Sequence, residues 1–302
     1  MIGNWGLGIV DWDDPIPSPC SPVPNLWSTP MNEYAQEITA WQQKRDAELR
    51  DPDGWLTLAG LFWLEPGQNS FGGDGSNDIQ FPGLSIPRLG ELIVSDDRVE
   101  VVVAPGAEVT CQGATVSQMI LTGSETDEPV LASGSLRWFV MRRDGRWAVR
   151  LRDQAHPALA AFHGVEYFPI DVGWRGAARL VAHPTPMTIP VPTILGSVNQ
   201  TASPGILHFS RNGTEQRLIA LGQVDKPLSL IFADATSGQE TYGSGRFLTV
   251  DAPNRDGETT IDFNRAYNPP CAFTPFATCP LPPAGNRLAI PITAGEKKYG
   301  DH

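Results

Sequence analysis

The chain has 302 residues, of which 41% are hydrophobic and 19% charged, with a formal net charge of −12. This length supports one large β domain or two modest ones with real cores, and the composition excludes a chain that stays disordered. The acidic balance repels phosphate backbones and anionic lipid, which argues against nucleic-acid and membrane partners.

Residues 1–30 are rich in Pro and Trp without periodicity and read as an irregular leader. They lack the basic and apolar regions of a secretory signal and carry Asp11, Asp13 and Asp14. No run of about 18 apolar residues follows, so no membrane span is expected. A cytoplasmic location is the default, with Cys20, Cys111, Cys271 and Cys279 as thiols. Residues 31–53 contain the one clear helix: Tyr34, Ile38, Trp41 and Leu49 form a stripe, Asn32 can cap it and Pro52 follows its end.

The run GWLTLAGLFWLEPG (54–67) reads as a buried strand or short helix closed by a Pro-Gly turn. Beyond it come β-branched runs separated by turn residues. A hairpin is expected at 135–152 around Asp144-Gly145. In its second arm, Arg146, Arg150 and Arg152 share one face, and Trp147, Val149 and Leu151 the other. If the arginine face is covered, those charges need partners, either internal carboxylates or a ligand. After a short helical segment, HPALAAFHG, further short strands include EYFPI, RGAARLVA, TIPVP and RLAIPI.

The fold expected is mainly β. A β-sandwich-like unit (54–130) follows the helix, and a larger antiparallel sheet or barrel-like unit (131–302) carries polar C-terminal loops.

The polar block from Asp234 to Lys297 is the candidate site, because rigid Gly/Pro-braced loops often carry function. TYGSGRF lacks the Lys-Ser/Thr of a phosphate loop. Ser237 is not in a nucleophile elbow, and none of the five histidines lies in the block. Cys271 and Cys279 are too far apart in sequence for a close zinc-ligand pair. Asp234, Glu240, Asp262 and Glu296 follow no metal-ligand spacing, so no metal is assigned, and the cofactor is unknown.

What remains is a binder of a small polar or anionic molecule, with hydrolysis as the leading reaction class. Arg150 and Arg246 would hold an anion, and Tyr242, Asn264, Tyr267 and Asn268 would orient polar groups. Asp234 or Glu296 would move a proton, and Cys271 is a candidate reactive thiol. The competing expectation is a non-catalytic interaction module whose C-terminal charges pair with each other.

Several long motifs, in order, carry a resemblance: GWLTLAGLFWLEPG, RWAVRLRD with Arg150 and Asp153, FADATSGQETYGSGRFL, DFNRAYNPPCAFTPFATCPLPP and AGEK. Residues 33–297 resemble the DUF 1684 family, which implies a single family domain over 31–297 and no particular activity. Within it, residues 67–116 are similar in rhythm to a forkhead-associated β-sandwich, with Ser85 at the serine position and Arg88 where that family has histidine. That departure, with no Asn-Gly loop after it, removes the implication of phosphothreonine binding.

Overall fold

The computed structural model describes residues 31–124, 128–143 and 145–300. The expected leader, 1–30, lies outside the described residues. Helix α1 (Met31–Arg50) buries Tyr34, Ile38 and Leu49, as its apolar stripe dictates. Arg45 lies on the same buried face, which the apolar pattern alone does not reveal.

A single 3-10 turn (Trp55–Thr57) leads into the first unit. Its strands are β1 (Leu58–Trp63), β2 (Gly67–Gly72), β3 (Ile79–Gln80), β4 (Gly90–Val94), β5 (Val99–Val103) and β6 (Thr110–Cys111). They continue with β7 (Ala114–Thr115), β8 (Gln118–Leu121), β9 (Leu131–Ser133), β10 (Leu136–Arg143) and β11 (Arg146–Asp153). Two sheets result, ordered β1-β11-β10-β9-β6-β7 and β3-β2-β4-β5-β8.

Their inner faces share one core around Phe71, Phe81, Leu92, Val101, Leu131, Trp138 and Val149. Strand β11 alternates as expected: Trp147, Val149 and Leu151 enter this core, which turns Arg150 and Arg152 to the opposite face. Across the hairpin Arg143 faces Arg146 and Phe139 faces Arg150. The boundary expected after residue 130 falls inside this unit. Strands β9 to β11 complete the sheet that β1 begins, so the first core extends to Leu151.

The second unit opens with α2 (Pro157–Ala161). Strands β12 (Arg175–Pro192), β13 (Val198–Arg211), β14 (Thr214–Ala220) and β17 (Glu258–Asp262) form a sheet ordered β14-β13-β12-β17. Strands β15 (Leu228–Phe232) and β16 (Arg246–Val250) pair as a separate ribbon. A second core gathers Leu207, Leu218, Leu230, Phe232, Leu248 and Phe263.

Two segments read as separate strands, RGAARLVA and TIPVP, are one long β12. The ladder breaks between Ala182 and Met187, where Pro184 and Pro186 cannot donate. EYFPI and RLAIPI form no ladder; each makes a single bridge, Tyr167 to Glu296 and Ala233 to Arg287. No sheet among the described residues closes into a barrel, so the barrel-like expectation is corrected. Mostly irregular chain after residue 262 adds Phe263, Ala266, Leu288, Ile292 and Ala294 to the second core.

Trp138 is fully buried in the first core against Phe71 and Phe81. Trp138→Ala is expected to cost about 3–5 kcal/mol in urea unfolding. A loss under about 1 kcal/mol would contradict a single shared core between the two sheets.

Candidate functional site

The C-terminal block holds two buried ion pairs. Arg246, with no exposed surface, begins β16 and donates Nη2 to Asp234 Oδ2 at 3.0 Å and to the Ile292 carbonyl at 2.8 Å. Its Nη1 reaches the Ala294 and Glu296 carbonyls. The other Asp234 oxygen accepts from the Thr236 N–H at 2.8 Å, the Thr236 hydroxyl at 2.6 Å and the Ile292 N–H at 3.1 Å. Ser237 accepts from the Asp234 N–H at 3.1 Å, which is a turn role.

Glu296 is equally enclosed. It accepts from Arg45 Nε at 3.0 Å and from the Asn268 N–H at 2.7 Å. The Arg45 guanidinium is sandwiched by rings, 4.4 Å from the Trp55 centroid and 4.9 Å from that of Tyr267. Desolvation raises the Glu296 pKa, and the attraction of Arg45 only partly opposes that rise. Asn268 is spent on the same joint, donating its side chain to the Lys297 carbonyl at 2.7 Å.

Asn264 belongs to a third cluster. It donates to the Tyr34 hydroxyl and to the Asp171 carbonyl, each at 2.8 Å, while Tyr34 donates to Asp262. These contacts dock α1 onto the end of β17.

The anticipated site residues therefore do not converge. Asp234, Arg246, Glu296, Asn264 and Asn268 are occupied by internal partners, and Tyr267 packs on Arg45 and Phe247. Asp234 and Glu296, anticipated as acid–base groups, lie in buried ion pairs with Arg246 and Arg45. Tyr242 donates to the Cys271 carbonyl at 3.1 Å. Among the described residues, Asp234, Glu240, Asp262 and Glu296 do not gather into a ligand set.

Arg150 alone of the anticipated group lines the largest described cleft, about 740 Å³, between the outer face of the β10–β11 hairpin and residues 270–280. Arg142, Arg143 and Arg152 line it too, with Trp55, Phe139, Met141 and Phe247 as apolar wall and Glu128 and Cys279 at its sides. Arg150 is only 8% exposed, yet among the described residues its one hydrogen-bond acceptor is the Phe276 carbonyl. Burial first, and then the neighbouring charges of Arg152 and Arg143, push its pKa down to about 10.

Arg152 donates to the Gly54 carbonyl at 2.7 Å and to the Thr57 hydroxyl at 3.1 Å. Arg143 Nε and Glu128 Oε1 are buried without a partner among the described residues. Glu128 Oε2 accepts from the Ser124 N–H at 3.0 Å, and desolvation raises the pKa of its carboxyl. No carboxylate pairs with Arg142, Arg143, Arg150 or Arg152 among the described residues.

Arg143 was readable in principle. A two-residue hairpin loop fixes register, and period-2 alternation puts Phe139, Met141 and Arg143 on the face of Arg150. Glu128 left no pattern in the sequence. Only the tertiary fold places it at the cleft.

Fold and site together define a two-core, mainly antiparallel β protein with a charge-locked C-terminal block and an arginine-lined cleft. Residues 160–297 match the model of the family described as "Protein of unknown function (DUF1684)", and the chain belongs to that family. The match begins after the hairpin, so the motifs quoted from the first unit lie outside it. Among solved structures, the chain is similar to the solution NMR structure of an uncharacterized protein from gene locus rrnAC0354 of Haloarcula marismortui. That likeness has 32% identity and a TM-score of 0.40, and covers 47% of this chain and 80% of that one. No curated protein matches.

Because the folded-state pKa of Glu296 is raised, its contribution favours the fold below the unfolded value and is lost as pH rises through the folded value. The stability of the wild type relative to Glu296→Gln should therefore decline as pH rises from about 4, the unfolded range for Glu. Arg45→Met should cost roughly 3–5 kcal/mol, since it leaves a buried carboxylate unpaired. Thermal melts across pH check both, and parallel wild-type and Glu296→Gln curves would remove the assignment.

Proposed function

We propose that the protein binds a small anionic molecule in the arginine-lined cleft. Arg150, Arg143 and Arg152 hold the anion, and Trp55, Phe139 and Phe247 lie against its apolar part. The observation that carries this reading is Arg150: a nearly covered guanidinium with one carbonyl acceptor and two like charges beside it. Burying a charge that way is unfavourable unless an anion completes it, and the planar guanidinium suits carboxylate or phosphate. The cleft volume, about 740 Å³, is in the range of small-molecule sites.

An acid–base step here, hydrolytic or otherwise, falls to Glu128. It is a carboxyl of the cleft, with one oxygen unpartnered and a pKa raised by burial. The reading includes a cytoplasmic setting, supported by the free thiols of Cys111, Cys271 and Cys279. No helix among the described residues is long and apolar enough to cross a membrane.

A second reading, an interaction module with a structural C-terminal network, draws support from the internally paired Asp234, Arg246, Arg45 and Glu296. Titration calorimetry with dicarboxylates and phosphate monoesters separates the two. Binding to the wild type should weaken roughly tenfold or more in Arg150→Met, the loss expected for a charged hydrogen-bond donor. An affinity untouched by that substitution, or no binder at millimolar concentration, would leave the module reading standing.

A further inference from the structure

We infer that Cys271 and Cys279 form a redox-active dithiol, a modification site at which hydrogen peroxide closes a disulfide. The pair sits on the segment that covers Arg150. Prolines at 269, 270 and 280 brace this segment, and a 3-10 turn, Pro270–Ala272, sets the direction of Cys271. The turn points the Cys271 N–H at the Cys279 sulfur, 3.1 Å away. That contact places the Cys279 sulfur against the backbone of Cys271, close enough for a side-chain rotation to bring the two sulfurs together.

Access differs between the two. Cys271 is half-buried, whereas Cys279 is buried on the cleft wall. Hydrogen bonding from the Cys279 thiol, helped by the Tyr242 hydroxyl, lowers the Cys271 pKa to about 7, while Cys279 is pushed up because it keeps the shared proton. Neutral pH therefore supplies a thiolate at the more accessible sulfur and a protonated neighbour to resolve it. Cys111, by contrast, is buried in the first core.

The chemistry balances in two steps. The Cys271 thiolate attacks one oxygen of hydrogen peroxide, the O–O bond breaks, and hydroxide leaves and takes a proton to become water. Cys271 is then a sulfenic acid. With the Cys271 charge gone, the Cys279 thiol gives its proton to the sulfenic oxygen, the resulting thiolate attacks the Cys271 sulfur, the S–O bond breaks, and a second water leaves. Two thiols are oxidised to one disulfide, and one peroxide is reduced to two waters.

The test uses the full reduced chain at neutral pH and reads thiols, not ligand binding, so its failure is distinct from failure of the anion reading. After peroxide treatment and alkylation, mass spectrometry should find a Cys271–Cys279 link that dithiothreitol reverses, with Cys111 still alkylated. In Cys279→Ala, the same treatment should leave Cys271 as a sulfenic acid that dimedone traps. Full alkylation of both thiols after peroxide would overturn the inference. So would a link that forms only in unfolded protein, or no dimedone adduct in a Cys279→Ala protein with a wild-type melt.

Discussion

The buried carboxylate of Glu296 is the constraint on which the arrangement depends. A charge with no exposed surface must have its oxygens satisfied, and here the donors come from far apart in the chain: Arg45 on α1 and the Asn268 backbone. The same short stretch of chain gives its Glu296 carbonyl to Arg246, whose guanidinium is fixed by Asp234. Helix, ribbon and C-terminal tail therefore share one polar joint. Replacing it with apolar residues of equal volume need not destabilise the fold, but removing one partner leaves a charge stranded. Such a joint is better suited to specifying one arrangement than to adding stability.

That joint has a consequence for chemistry. Every carboxylate it contains is already neutralised, so the block that looks most catalytic in sequence is the least available. The tail it anchors then runs from Asn268 through residues 270–280, over the hairpin of the first unit. The Phe276 carbonyl meets Arg150 there, and no carboxylate forms an ion pair with Arg150 among the described residues. Four arginines therefore gather where residues 270–280 lie over the hairpin, with Glu128 as the carboxyl of the cleft lining among the described residues.

Much of the fold was legible. The helix stripe, the Asp-Gly hairpin and the split faces of β11 follow from periods of 3.6 and 2 that local sequence displays. The failures have a common cause. RLAIPI and EYFPI have strand composition, but Pro291 and Pro169 interrupt their donors and no neighbouring strand offers a ladder. The first unit was cut short because pairing of β1 with β11 is a long-range choice that no local pattern encodes. At the site, Arg150 was legible because its opposite face is so plainly a core face. Arg246 and Glu296 stand out as polar residues of the block, but their pairing with Asp234 and Arg45 is a tertiary feature that local sequence does not display. Residue type and flanking glycines cannot distinguish a carboxylate aimed at a ligand from one aimed at Arg45.

A net charge of −12 and an anion site are compatible, and their combination sharpens selectivity. The overall field acts at a distance, where physiological salt screens it over about 8 Å. Inside the cleft the nearest charges decide, and the covered position of Arg150 weakens screening there. A polyanion such as a nucleic acid must bring many phosphates against the acidic surface at once, and each is repelled. In the proposed binding mode a small anion would present one charged group to the arginines, with its remaining atoms toward Trp55, Phe139 and Phe247 of the cleft lining. On the proposed reading, the acidic exterior would act as a size filter, disfavouring extended anions more than compact ones.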